Sequence, residues 1–109
     1  MRVAVIGGGV TGLAAALRLR DLLPDAAVTV YEQSGRLGGK LRTGELAGVP
    51  VELGAETFLC RDPGEPGESA VLRLARRVGL GDELAHPEPV PPALVVGGEL
   101  RPAPAGTLL

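Results

Sequence analysis

Tryptophan is absent from these 109 residues, and tyrosine, phenylalanine, cysteine, methionine and histidine occur once each. One cysteine excludes an internal disulfide and any cysteine-based zinc site. With a single histidine as well, a multi-ligand metal site lacks donors. Basic residues are also scarce: 11 Lys and Arg against 13 Asp and Glu leave a formal charge of −2 and a pI of about 5.4. No basic stripe is available to neutralise phosphates, which argues against a nucleic-acid binder. Tyr31 and Phe58 are too few to form a stacking platform for a large planar ligand. Long apolar runs are missing too. The longest uncharged stretch, residues 3–17, has 15 residues and four glycines, short of the ~20 that cross a bilayer. Its glycines interrupt the apolar core that a signal peptide requires, and no small-residue cleavage pattern follows before Arg18 and Arg20. No transmembrane segment is expected, and the setting is read as reducing and cytoplasmic.

Glycine (17) and proline (10) are abundant. Eight of the ten prolines lie after Cys60, so the front half is expected to be ordered and the back half rich in loops. The length suits one modest domain, which would bury roughly two-thirds of its unfolded surface. It does not suit two domains with a cleft between them.

Arg2–Ile6 is a short run rich in valine, bounded by glycine, and reads as a parallel strand buried on both faces. Residues 13–23 have high helix propensity, with Leu13, Ala16 and Leu17 on one face and Arg18 and Asp21 able to pair outside. Pro24 and Asp25 end that helix. A second strand follows at Ala27–Tyr31, with Glu32 at its carboxyl end. Strand, turn, helix and strand make one βαβ unit. Beyond it, residues 41–46 and 49–53 read as a hairpin around Ala47 and Gly48. Residues 61–67 are a polar loop, and residues 69–78 an amphipathic helix with Val71, Ala75 and Val78 inward. Arg73, Arg76 and Arg77 are its solvated face. Gly79 is placed for a left-handed cap followed by Leu80. A proline-rich connector (residues 86–92) leads to a second hairpin, residues 93–96 and 99–101, around Gly97 and Gly98.

The run Gly7-Gly8-Gly9-Val10-Thr11-Gly12 leaves the first strand and opens the first helix. In that context it is a dinucleotide-binding turn. Gly7 permits the bend, Gly9 lets a pyrophosphate approach the backbone, and Gly12 lets helix and strand pack closely. The helix amino terminus adds unpaired N–H groups and partial positive charge. Glu32, 20 residues after Gly12, is placed to accept ribose hydroxyls and to repel a 2′-phosphate, which disfavours NADP. A second cluster then follows, Arg36, Gly38, Gly39 and Lys40. An ordinary NAD dehydrogenase has no need of it. Its two glycines allow close backbone approach to the pyrophosphate and its two cations can neutralise it.

Together these residues, IGGGVTGLAAALRLR followed by VTVYEQSGRLGGKLRT, resemble the FAD-binding signature of the flavin amine oxidase and protoporphyrinogen oxidase superfamily. The resemblance implies an α/β fold, the amino-terminal part of a Rossmann-like, GR2-type FAD-binding domain made of a βαβ unit plus hairpins and a helix. It implies FAD as cofactor. Residues 51–58 are similar to the segment that runs beside the flavin ring in that superfamily, so backbone groups at Gly54, Ala55, Glu56 and Thr57 would contact the ring. Ala55 leaves space there and Glu56 offers a polar group. Gln33 would retain a backbone contact to adenine, although the family usually has a small residue at that position.

Three further segments narrow the resemblance to the oxygen-dependent coproporphyrinogen III or protoporphyrinogen IX oxidases of haem synthesis. They are residues 48–56, residues 76–80 and the Leu-x-Pro-x-Pro-x-Gly run at residues 100–106. The implied reaction oxidises a porphyrinogen to a porphyrin, with dioxygen reoxidising the flavin. No side chain in this chain is required as acid or base. Residues 64–67 make a longer loop than the family usually carries. The substrate domain and the return of the chain to the FAD domain are both missing, so these residues are expected to be a truncated, inactive fragment of a longer enzyme. Peripheral membrane association of that enzyme is left open. Two other readings stand beside it: a fragment of another FAD-dependent amine oxidase or carotenoid desaturase, and a non-catalytic FAD-binding remnant. Cys60 lacks a nearby base, and His86 lies in the connector; neither is read as catalytic.

Overall fold

In the computed structural model, residues 1–64, 66–86, 91 and 93–104 are described. Strand β1 (Arg2–Ile6) runs into helix α1 (Val10–Leu22) and strand β2 (Ala27–Tyr31). The two strands pair in parallel, Arg2 opposite Ala27 through Ile6 opposite Tyr31. This is the expected βαβ unit. The helix begins three residues before the expected start because Gly9, in an extended conformation, is itself the N-cap. It ends at Leu23, whose N–H donates to the Leu19 carbonyl, and Pro24 blocks continuation.

The first strand is not buried on both faces. Val3 and Val5 are half-buried under α1, as are Val28 and Val30, whereas Ala4 and Tyr31 are exposed and Ile6 is 81% exposed. Side chains alternate across a strand, and among the described residues one helix packs on this pair of strands. The other apolar face therefore remains open.

Strands β3 (Thr43–Leu46) and β4 (Val49–Glu52) form an antiparallel hairpin. Ala47 and Gly48 both take positive φ, 51° and 82°, the geometry of a turn whose twist suits two strands joined tightly. Strands β5 (Ala93–Val96) and β6 (Glu99–Pro102) repeat the device, with φ of 61° at Gly97 and 83° at Gly98. Both hairpins stand where the sequence predicts them.

Helix α2 (Ala70–Arg77) is capped at both ends. Ser69, 1% exposed, accepts the Leu72 N–H at its hydroxyl oxygen, and Asp62 accepts from Ala70. At the other end Gly79 has φ 82°. Its N–H reaches the Arg76 carbonyl while the Leu80 N–H reaches that of Ala75, the paired closure that a glycine at this position permits. The inward face differs from the expected one. Leu72 is buried and Ala75 half-buried, whereas Val71 and Val78 are exposed. The start set by Ser69 and Asp62 rotates Leu72 onto the packed side. Asp21 pairs with Arg77, tying α1 to α2, in place of the expected partner Arg18. A single turn of tighter helix at Gly81–Glu83 follows.

Burial is slight. Among the described residues only Ala16, Leu72 and Ser69 are buried side chains, and the accessible surface is 9217 Å². A compact protein of this mass would expose about 5700 Å². The radius of gyration is 18.0 Å, against about 13 Å for a compact domain of this length. The chain thus falls short of the burial its length allows. No helix among the described residues is long and apolar enough to cross a membrane. Glu65, residues 87–90, Pro92 and residues 105–109 lie outside the described residues. Parts of the polar loop, the connector, the Leu100-to-Gly106 run and the chain end fall there.

Candidate dinucleotide site

The sequence places three glycine-bearing segments far apart; the fold puts them side by side. Gly7 turns out of β1 with φ 101°, and its N–H donates to the Tyr31 carbonyl. At Gly12 a Cβ would overlap the Gly7 carbonyl oxygen and touch Val5, so only glycine lets α1 sit this close to β1. No side chain caps the start of α1, and its first turn holds no acidic residue. Val10 and Thr11 are exposed there. Such an end leaves N–H groups and the positive pole of the helix available to an anion.

Glu32 leaves the end of β2 and turns back over this bend. Its Oε2 accepts the Gly8 N–H at 2.6 Å, and its Oε1 accepts the Ser34 N–H and the Ser34 hydroxyl, each at 2.8 Å. These bonds hold its carboxyl down from the ordinary 4.5 to about 2. The Ser34 N–H contributes most, then the Gly8 N–H, then the Ser34 hydroxyl, with a smaller help from the Gln33 N–H. The acid at this position is therefore ionised throughout the physiological range.

The second glycine cluster lies against the first. Gly38 donates its N–H to the Gly8 carbonyl at 2.8 Å and pairs in parallel with Gly9. A Cβ at Gly39 would come within 3.1 Å of the Gly9 Cα, so the two backbones touch without side chains between them. Gly38 and Gly39 both adopt positive φ, 106° and 59°. The Arg36 guanidinium binds the carbonyls of Leu41 at 3.1 Å, Leu37 at 3.3 Å and Gly39 at 2.7 Å. It staples its own loop. Lys40 is exposed.

The third segment joins through Lys40. The Ala55 N–H donates to the Lys40 carbonyl at 3.0 Å and the Leu53 N–H to that of Arg42 at 2.7 Å. A Cβ at Gly54 would overlap the Lys40 carbonyl. Gly54 and Ala55 thus extend the cradle from Gly8 and Gly9 through Gly38 to Lys40. Glu56 and Thr57 continue into a separate open groove of about 770 Å³, where they meet Phe58, Leu72, Arg76 and His86. Gln33 is exposed beside Glu32. Ser34 is the residue the sequence reading passed over. A hydroxyl two positions after an acid at a strand end, with a turn following, is the signal that could have found it.

A strand end, an uncapped helix start, an ionised acid and glycine backbones in contact form one cradle. The flavin-containing amine oxidoreductase family matches residues 10–106. This chain belongs to that family. Its fold is α/β and matches the amino-terminal part of the FAD-binding domain of flavin amine oxidases. The family carries a flavin. The chain is 42% identical over 113 residues to the coproporphyrinogen III oxidase of Mycobacterium tuberculosis, spanning 95% of this chain and 24% of that protein. It is 32% identical to the coproporphyrinogen III oxidase of Staphylococcus aureus, over 98% of this chain and 22% of the relative. The "Putative protoporphyrinogen oxidase" of Exiguobacterium sp. 255-15 superposes with a TM-score of 0.73 at 32% identity, covering 98% of this chain and 22% of that one. The chain therefore spans about a quarter of the length of the curated relatives it matches.

Proposed function

We propose that residues 1–109 are the amino-terminal portion of the FAD-binding domain of an oxidase of haem biosynthesis. The porphyrinogen, coproporphyrinogen III or protoporphyrinogen IX, is oxidised to the porphyrin, with dioxygen as final acceptor. One observation carries the reading: Gly8 is bonded at once to Glu32 and to Gly38. That junction holds the acid read as ribose-binding and the second glycine loop against the turn read as phosphate-binding, which supports an adenine dinucleotide in this cradle. The family membership and the names of the relatives support the same reading.

In this reading Gly7, Gly8, Gly9, Val10, Thr11 and Gly12 hold the pyrophosphate on the start of α1. Glu32 accepts ribose hydroxyls and the Gln33 backbone meets adenine. Gly38 and Gly39 keep the second loop within reach of the phosphates, Arg36 holds that loop in shape, and Lys40 supplies positive charge. Gly54, Ala55, Glu56 and Thr57 lead toward the flavin ring. Held by these residues, FAD would supply the two-electron redox chemistry for oxidising the porphyrinogen, with dioxygen as the proposed acceptor and hydrogen peroxide as its product. The residues of this chain bind and orient; none need exchange a proton with substrate. A cytoplasmic setting goes with this reading. A quarter-length chain cannot close water away from a flavin ring, so the 109 residues alone are proposed to be inactive.

The gene product that carries these residues, loaded with FAD, tests the reading. Coproporphyrinogen III, protoporphyrinogen IX and simple amines are supplied in air while porphyrin fluorescence and peroxide are followed. Porphyrin formation with peroxide release is expected. Turnover of amines without porphyrin would replace this reading by the amine oxidase one.

A further inference from the structure

Ser34 belongs to none of the glycine segments, yet it contacts the Glu32 carboxylate twice. Its N–H and its hydroxyl both reach Oε1, and the Gly8 N–H takes Oε2. A carboxylate offers about four lone-pair sites. The Ser34 and Gly8 bonds take two on Oε1 and one on Oε2, so Oε2 keeps an acceptor position that none of these three bonds uses. The Ser34 oxygen also lies 2.9 Å from the Arg36 carbonyl. The hydroxyl has one proton for two acceptors, and the charged one binds it more strongly. With its proton on Glu32, the hydroxyl lies between the acid and the Arg36 carbonyl of the loop that carries Gly38 and Gly39.

We propose that Ser34 is the positioning residue for Glu32, orienting its carboxylate so that this remaining position on Oε2 accepts a hydroxyl of the adenosine ribose. The inference rests on the adenine-dinucleotide reading above. The backbone N–H of Ser34 survives any substitution here except proline, so the hydroxyl can be removed without dismantling the turn.

The test uses the full gene product that carries these residues, freed of FAD, with S34A and S34T, probed with ADP and with 2′,3′-dideoxy-ADP, which lacks both ribose hydroxyls. Calorimetry measures both affinities, and carbon-13 NMR titrates the Glu32 carboxyl without nucleotide. Wild type is expected to prefer ADP. In S34A that preference falls about three- to tenfold, the size of one hydrogen bond, with the dideoxy affinity unchanged. The Glu32 titration moves up from about 2 in S34A, and S34T restores both readings. An equal loss for both nucleotides overturns the proposal, because it marks a merely structural serine. An unmoved Glu32 titration overturns it as well, because the hydroxyl then serves the Arg36 carbonyl. If wild type binds both nucleotides equally, the cradle stands and the ribose role is overturned alone. Failure of wild type to bind either one overturns the adenine reading and this inference with it.

Discussion

The Gly8 N–H and the Glu32 carboxylate, 24 residues apart in the chain, meet at 2.6 Å. That bond closes the βαβ unit at the mouth of its glycine turn. It also gives stability a pH dependence of definite sign. Because the folded carboxyl lies near 2 and its ordinary value is 4.5, the contribution is complete above the ordinary value. It is lost as pH falls through the folded one. Urea midpoints measured from pH 6 to pH 2 should therefore decline over this window in wild type. In Glu32→Gln that part of the decline should disappear, from a lower plateau at pH 6, because an amide must turn an N–H toward Gly8 or Ser34.

Gly12 and Gly35 make a controlled pair. Gly12→Ala drives a methyl into the Gly7 carbonyl, so α1 must lift from β1, at a cost of about 2 kcal/mol or more. Gly35 has open space around it and no positive φ. Gly35→Ala should leave stability within about 0.5 kcal/mol. Denaturant unfolding of the two variants checks both statements.

Ala47 carries φ 51° without being glycine. Ala47→Gly removes the Cβ strain of that conformation and should stabilise the first hairpin by about 0.5–1 kcal/mol. Amide exchange across Thr43–Leu46 and Val49–Glu52 should slow accordingly. Acceleration would contradict the turn geometry.

Arg36→Ala releases the carbonyls of Leu37, Gly39 and Leu41 together. Exchange at the Gly38 amide, which donates to the Gly8 carbonyl, should quicken by about tenfold, and on the proposed reading FAD affinity should fall in parallel. Arg36→Lys should recover only part of either effect, because an ammonium lacks the planar fork that spans separate acceptors.

The local elements were legible because their signals are local. Gly9 opening α1, Ser69 starting α2, Gly79 ending it and the glycine pairs in both hairpins act within a few residues of themselves. The face of α2 was misjudged because residue spacing alone does not choose between Val71 and Leu72; the caps at Ser69 and Asp62 set the rotation. Burial of β1 on both faces was misjudged for a different reason. An apolar strand has no means of stating how many layers will cover it, and Ile6 stays open here.

Residue order alone settles the βαβ unit, the two hairpins and the glycine turn between β1 and α1, since propensity, capping and turn chemistry are properties of short segments. Only the folded chain decides that Gly38 pairs with Gly9, that Gly54 seats on the Lys40 carbonyl and that Ser34 shares Glu32 with Gly8. Those contacts depend on backbones meeting across long loops. Their geometry follows from the packing of α1 on its two strands, which no stretch of sequence encodes by itself.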